Sequence, residues 1–489
     1  MTPTTETPQN ARKRVVIIGA GISGLAAAWR LKDYPENCDF TIWERADRVG
    51  GVIGTRIHDD CLCELSVDNF ITTVPYGVAL CRELGLDSAL VSTNSSFRRT
   101  LVVHKGRLCP LPDGFMTMAP TKLYPMLVTP LLSPLGKLRC GMELVLPRRK
   151  SNEDESLAHF AIRRLGKEAF ERIIEPLVGG IYGGDPYKLS IQAALPRFAE
   201  MEKKSRSLIW AMTKTQRQAR QTKREEESGA RYSFFVTVEG GMQRLPEKLA
   251  DAIGREKIEL NRSAVRLEKV ERNAQIQWRV FDQQGASELF DAVLFAANAH
   301  AVADAIHSAA PELAQLYRQT EYTSVAIVHV AYRNEQITRP VKAMGFVVPS
   351  SEGSGVIAGS FSSYKYPTRA PKDTTLLRLF LGGSRAPEVM SLSDEQLVER
   401  VQRQMETLLG VSGAPVALDV ARFPHSMPQY YLGRLQWRER LDAALANSHG
   451  IALAGAALDG VGLPACVKSG YDAAHKTLND LGLALPMNR

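Results

Sequence analysis

Val15-Val16-Ile17-Ile18-Gly19-Ala20-Gly21-Ile22-Ser23-Gly24 stands near the start of the chain and defines its first structural unit. The four β-branched residues read as a buried parallel strand. Leu25 to Leu31 continues in good helix formers, and a second strand, Phe40 to Trp43, ends at Glu44. This is one βαβ unit with Gly-x-Gly-x-x-Gly between strand and helix. Gly19 permits the tight turn, Gly21 lets backbone approach a pyrophosphate, and Gly24 lets helix and strand pack closely. Ser23 sits in the first turn of that helix, whose N-terminal amides and dipole favour an anion. Glu44 is placed to accept a ribose hydroxyl. The unit is therefore expected to bind a dinucleotide.

The composition is compatible with a multi-domain globular protein. Of 489 residues, 44% are hydrophobic and 23% charged, which excludes a disordered, collagen-like or disulfide-scaffold chain. Lys plus Arg number 61 against 53 Asp plus Glu, a formal charge of +8. That balance suits an anionic substrate or membrane surface without demanding nucleic acid, and none is expected as a partner. Seven cysteines, with Cys61-x-Cys63 and no Cys-x-x-Cys, point to a reducing compartment. Met1 to Arg14 lacks the apolar core of a signal peptide, and no apolar run reaches the roughly 18 residues a spanning helix needs. The expected location is the cytoplasm.

Leu101 to His104 and Arg107 to Leu111 read as a hairpin around Lys105-Gly106. From Pro112 to about Ser207, helical patterns alternate with apolar stretches broken by Pro120, Pro125, Pro130 and Pro134. Lys203 to Glu227 is strongly polar and reads as a solvated helix or loop, with contact to anionic lipid the rarer alternative. Strand patterns resume at Ser233 to Val238, Val265 to Val270, Gln275 to Phe281 and Ala292 to Ala296. Ile451 to Ala454 is a last buried strand before a glycine-rich turn and a helix.

Two further segments narrow the ligand. Arg45 to Thr55 reads Arg-Ala-Asp-Arg-Val-Gly-Gly-Val-Ile-Gly-Thr. Arg48, after Arg45 at the strand end, can neutralise phosphate, and Gly50 and Gly51 can turn backbone amides onto it. This pattern resembles the FAD-binding segment of the flavin amine oxidase and phytoene desaturase superfamily. Gly455-Ala456-Ala457-Leu458-Asp459-Gly460-Val461-Gly462-Leu463-Pro464-Ala465-Cys466-Val467-Lys468-Ser469-Gly470 is a second backbone-rich turn entering a helix. Cys466, without a Cys-x-x-Cys partner, reads as a packing residue rather than a redox thiol.

With Gly179-Gly180-Ile181-Tyr182-Gly183-Gly184-Asp185-Pro186, Glu239-Gly240-Gly241-Met242-Gln243, Tyr366-Pro367-Thr368-Arg369-Ala370-Pro371 and Phe380-Leu381-Gly382-Gly383, the chain resembles the oxygen-dependent, FAD-containing protoporphyrinogen oxidase family from Val15 to Leu478. The resemblance implies an α/β flavoprotein of the two-dinucleotide-binding-domain type. Its discontinuous FAD domain would comprise 12–92, 233–302 and 441–489. A mostly helical, membrane-associated domain would take 93–207, and a mixed substrate domain 208–232 and 303–440. It further implies that Gly455, Gly460, Val461 and Gly462 line the flavin and its ribityl chain, and that backbone at Val265 meets the adenine end. Gly180 would approach the porphyrinogen with its main chain, and Val347 and Phe380 would wall its rings.

The resemblance also implies the reaction. Six electrons would leave protoporphyrinogen IX in three hydride steps to the flavin, with O2 as acceptor and hydrogen peroxide as by-product. No residue is nominated as catalytic base, and no metal is expected. Coproporphyrinogen III is the alternative substrate. Peripheral contact of Met116 to Leu135 with the inner face of the cytoplasmic membrane is expected, the alternative being a buried channel wall. A homodimer is a family expectation. The chain departs from the family at Glu64-Leu65-Ser66-Val67, where Glu-x-Gly-Pro is usual, at Arg434 in place of histidine, and at Ser360 in an apolar wall position. The substrate-carboxylate arginine falls at Thr100, so Arg99 is nominated in its place. A desaturase or amine oxidase, and a non-catalytic prenyl binder sharing the fold, are the remaining readings; the Gly-Asp-Pro block opposes the first and the C-terminal flavin segment the second.

Overall fold

The computed structural model describes residues 12–215, 234–272 and 275–483. The part of the polar run from 216 to 227 therefore lies outside the described residues.

The βαβ unit forms as expected. Lys13–Ile18 is the central strand of a five-stranded parallel sheet in the order Ile258–Glu259, Cys38–Trp43, Lys13–Ile18, Ala292–Phe295, Ile451–Leu453. Val15 to Ile18 are buried because helices cover one face and the antiparallel strands Ala264–Arg272, Gln275–Asp282 and Ser287–Phe290 pack on the other, which is why that run carries no polar alternation. Helix Ile22–Leu31 packs on the C-terminal helix Leu463–Asp480. Gly470 allows this: a Cβ there would fall 2.2 Å from the Ser23 carbonyl oxygen. The sheet thus joins strands from the two ends of the chain, a contact that no local pattern announces.

A seven-stranded mixed sheet forms the second body of the fold, in the order Ala417–Pro428, Tyr322–Arg333, Thr374–Gly382, Val356–Phe361, Gly345–Val347, Thr100–His104, Arg107–Pro110. The hairpin turns at Lys105 and Gly106, both at positive φ (52° and 68°). It does not sit with the helical segment, where its place in the chain suggested. It pairs in parallel with Gly345–Val347, so Thr100 to Pro110 belongs to the large sheet. The helices of residues 124–215 pack around Phe160, Phe170, Ile173, Ile174 and Phe198 against one face of that sheet. Among the described residues, no helix is long and apolar enough to cross a membrane.

Candidate active site

The glycine turn has the geometry that its spacing requires. Gly19 lies at φ +107°, and its amide donates to Trp43 O at 2.8 Å. A Cβ at Gly24 would stand 1.9 Å from the Gly19 carbonyl oxygen. Gly21 caps the helix, and a Cβ on it would meet nothing within 4 Å, so open space faces its backbone. Glu44 is buried, with one carboxylate oxygen accepting from Ala20 N at 2.7 Å and the other from Ala46 N at 2.9 Å. Each oxygen keeps a further lone-pair direction for a ligand hydroxyl.

The glycines of the next loop close against this turn. Gly50 N donates to Ala20 O at 2.8 Å, and a Cβ at Gly51 would lie 3.2 Å from Gly21 Cα. Arg45 is exposed beside Glu44. Asn261 and Arg262 donate their amides to Ala46 O (3.0 Å) and Glu44 O (2.8 Å), which brings the half-exposed Val265 to the same end of the sheet.

Two side chains in this region are differently engaged from the expectation. The Ser23 hydroxyl donates to Cys466 O at 2.9 Å and joins two helices instead of facing the turn. The Arg48 guanidinium donates to the carbonyls of Val49 (3.1 Å), Gly51 (2.8 Å) and Ile53 (2.8 Å) and to Gln243 Oε1 (3.3 Å). It therefore shapes the glycine loop, because five donors in a rigid fork saturate the carbonyls a tight turn leaves unpaired.

The C-terminal turn is a second backbone-rich segment. Gly455 lies at φ +123° with open space at its Cβ position, and Gly460 at φ +151°. Gly462 caps helix Leu463–Asp480, and Val461 packs with the helical cluster that also contacts Phe380. Arg434, which stands where histidine was expected, is buried under this loop. It donates to Ala457 O and, at 3.1 Å, to Leu458 O, and it stacks on Trp437 with its guanidinium carbon 3.7 Å from the ring centroid. Cys466 is buried, and burial pushes its thiol up to about 11, in keeping with a packing role.

The substrate-wall residues come together across the large sheet. Val102, Val347, Ala358, Phe380 and Ile327 stand opposite one another on five adjacent strands, so their side chains form one row on one face. Gly180, in helix Glu175–Tyr182, lies above the row: a Cβ on it would sit 3.6 Å from both Ala358 Cβ and Val347 Cγ1. Arg99 is not drawn into this group; it is exposed, one position before the strand, with its amide on Phe97 O.

Sequence reasoning missed the buried charges behind the row. Glu64 accepts from Thr55 Oγ1 (2.8 Å), Met242 N (2.9 Å) and the Arg369 guanidinium (3.4 Å); burial raises its carboxyl above the ordinary value despite these partners. Arg369 and Lys365 share Asp68. The Glu64-Leu65-Ser66-Val67 turn is held by Arg378, which donates to Ser66 O, and by Arg369, which donates to Asp68 O at 2.8 Å. These cations stand in strands or short turns as isolated polar letters, and nothing local marks them as buried.

Gly21 and Gly455 each leave open space at the Cβ position, their turns lead toward two helices that pack on each other, and Glu44 beside the first turn is a buried acidic acceptor; these features fit a flavin dinucleotide. The fold and this site define a flavin-dependent oxidoreductase, and FAD is its cofactor. The profile of the flavin containing amine oxidoreductase family matches residues 22–478, and the chain belongs to that family. Coproporphyrinogen III oxidase of Bacillus subtilis is 32% identical over 477 residues, 96% of this chain and 99% of the relative. Protoporphyrinogen oxidase 2 of Arabidopsis thaliana is 27% identical over 492 residues, 96% and 94% of the two chains. A crystal structure of an Exiguobacterium protein superposes with a TM-score of 0.83 at 29% identity, covering 96% of this chain and 99% of that one. Cyclohexylamine oxidase of Brevibacterium oxydans shares the fold alone, with a TM-score of 0.68 at 19% identity.

Proposed function

We propose that the chain oxidises coproporphyrinogen III to coproporphyrin III. The single observation that carries the reading is the row Val347, Ala358, Phe380 beneath a helix whose Gly180 offers no side chain. A flat macrocycle needs an apolar wall and close backbone, and a bulkier residue at position 180 would occupy that space. Protoporphyrinogen IX, favoured by the sequence reading, is the second candidate. The choice moves to coproporphyrinogen because bacterial relatives bearing that name are 30–32% identical, against 26–29% for the plant protoporphyrinogen oxidases.

Bound FAD supplies an acceptor for two electrons at a time, so a porphyrinogen is oxidised in three rounds. Each round removes a hydride from a methylene bridge; the accompanying proton leaves a pyrrole nitrogen in two of the rounds and the remaining methylene bridge in the third. Six hydrogens leave in all, and three O2 become three H2O2. The protein orients and excludes water. Gly21, Gly51, Gly455 and Gly462 would hold the dinucleotide by backbone, Glu44 its ribose, and Val265 its adenine end. Val347, Phe380 and Gly180 would clamp the macrocycle. Initial rates of porphyrin fluorescence in air, with both porphyrinogens side by side, test this. Faster oxidation of coproporphyrinogen is expected; faster oxidation of protoporphyrinogen reverses the substrate, and no turnover of either removes the assignment.

Peripheral membrane contact belongs to the same proposal. Within the stretch 116–135, Met126, Leu131 and Leu132 are buried, while Tyr124 (73% exposed), Leu127 and Leu135 (78% exposed) face outward, with Leu138 and Trp210. Thr213 Oγ1 donates to Thr121 O at 3.4 Å, which brings Trp210's helix beside the patch. Half-buried Lys137 adds positive charge. An apolar patch with cations suits an anionic leaflet. Co-sedimentation with phosphatidylglycerol vesicles at low salt, abolished by Leu135→Glu with Leu138→Glu, is the expected result; a wild type that stays in the supernatant refutes the contact.

A further inference from the structure

On the sheet face that carries the apolar row, a second row lies two residues along each strand: Thr100, Gly345, Ser360, Arg378, His329 and Asp419. Two residues of strand put the rows about 7 Å apart. The second row differs in chemistry from the first. Thr100, Gly345 and Ser360 are small and half-buried, so no long side chain of theirs stands in this row. Arg378 comes next in the row and is only 2% exposed.

Arg378 is singular among the neighbouring cations. Arg369 and Lys365 share Asp68, Arg56 pairs with Asp419 at 2.9 Å, and Arg385 pairs with Glu175. No carboxylate of the described residues comes within ion-pair distance of Arg378. Its guanidinium donates to Ser66 O and lies 4.6 Å from the centroid of the Phe380 ring, while its Nε is buried without a partner. A buried guanidinium with an idle donor, whose opposing charge on Glu64 lies beyond ion-pair distance, is costly, and a bound anion relieves that cost.

Resting on the porphyrinogen reading above, we infer that Arg378 receives a carboxylate of the substrate, reached over Gly345 and Ser360. The two rows match the two parts of such a ligand. Its macrocycle lies on Val347, Ala358 and Phe380, and a propionate extends from the ring edge toward the next row. Charge-assisted, forked pairing is what a guanidinium offers a carboxylate. The residue would bind and position substrate and take no part in the proton or hydride transfers.

The test titrates flavin-loaded protein with coproporphyrin III and with its tetramethyl ester at equal low detergent, reading porphyrin fluorescence. Wild type is expected to bind the acid more tightly than the ester. Arg378→Gln keeps a donor near Ser66 O without the charge; it is expected to weaken acid binding at least tenfold and leave ester binding within twofold. Arg378→Lys keeps the charge and is expected to recover most of the acid affinity. Unchanged acid binding in Arg378→Gln overturns the inference. So does parallel loss of acid, ester and flavin, which assigns Arg378 to packing. A wild type that binds acid and ester equally overturns it while leaving the porphyrinogen reading intact, and a wild type that binds neither removes that reading itself.

Discussion

The Ser23 hydroxyl donates to the carbonyl oxygen of Cys466, 2.9 Å away in space and 443 positions later in the chain. Through this bond the first glycine turn and the last glycine turn, between which we propose the cofactor is held, are tied by the helices they open. Ser23→Ala removes a buried donor and is expected to cost about 1 kcal/mol. The midpoint of denaturant unfolding should fall, and flavin should dissociate faster on dilution. An unchanged flavin off-rate would show that the two turns are held together by packing alone.

Gly180 sits in helical backbone, so its replacement is a question of space and not of φ. Gly180→Ala places a methyl at ordinary contact distance, 3.6 Å from Val347 and Ala358, and is expected to be nearly neutral. Gly180→Leu fills the gap above the row. Flavin content should stay at the wild-type level while kcat/KM for either porphyrinogen drops at least tenfold. Equal activity of the leucine variant would place the macrocycle elsewhere.

Burial raises the Asp419 carboxyl, but the Arg56 guanidinium at 2.9 Å and the neighbouring His329 ring, 3.6 Å away, prevail, and it is held down to about 2. The folded value is below the unfolded one. Its stabilising share is therefore complete above the unfolded carboxylate range and disappears as pH falls toward 2. About 1–2 kcal/mol is at stake. Asp419→Asn should flatten the fall in unfolding free energy between pH 4 and pH 2 relative to wild type. Curves of equal slope would mean that another carboxylate governs the acid limb.

Arg434 is buried beneath the loop that ends at Gly460, and it satisfies two successive carbonyls while stacked on Trp437. Arg434→Ala leaves those acceptors unpaired and is expected to cost about 2 kcal/mol. Flavin retention after gel filtration should fall with it. A stable variant with full flavin would show that Tyr430, whose hydroxyl donates to Ala456 O at 2.6 Å, holds the loop by itself.

The βαβ unit and its glycine turn were legible because their signals are local. Gly19, Gly21, Gly24 and Glu44 fall within 26 residues, and strand, turn and helix dictate their relation before any tertiary contact forms. Ser23 and Arg48 lie in the same stretch, and the partners of their side chains were not legible. A hydroxyl and a guanidinium choose among acceptors that only the folded surroundings supply, and here those were Cys466 O and three loop carbonyls. The hairpin Thr100–Pro110 was read correctly as a hairpin, since a turn residue pair and strand patterns suffice for that. Its sheet was not, because its partner, Gly345–Val347, lies more than 230 residues on.

By itself the sequence determined the parallel dinucleotide unit, the second glycine turn and, through resemblance, the kinship of the whole chain. Local backbone sterics and strand alternation act within a few residues, so they can be read in order. Only the tertiary structure decided which side chains share a face. Val347, Ala358 and Phe380 become one wall, and Thr100, Ser360 and Arg378 a second, through strand register across five strands drawn from distant segments. It also decided that Arg378 is buried without a carboxylate, because an arginine letter in Leu-Leu-Arg-Leu-Phe-Leu carries its charge but not its surroundings.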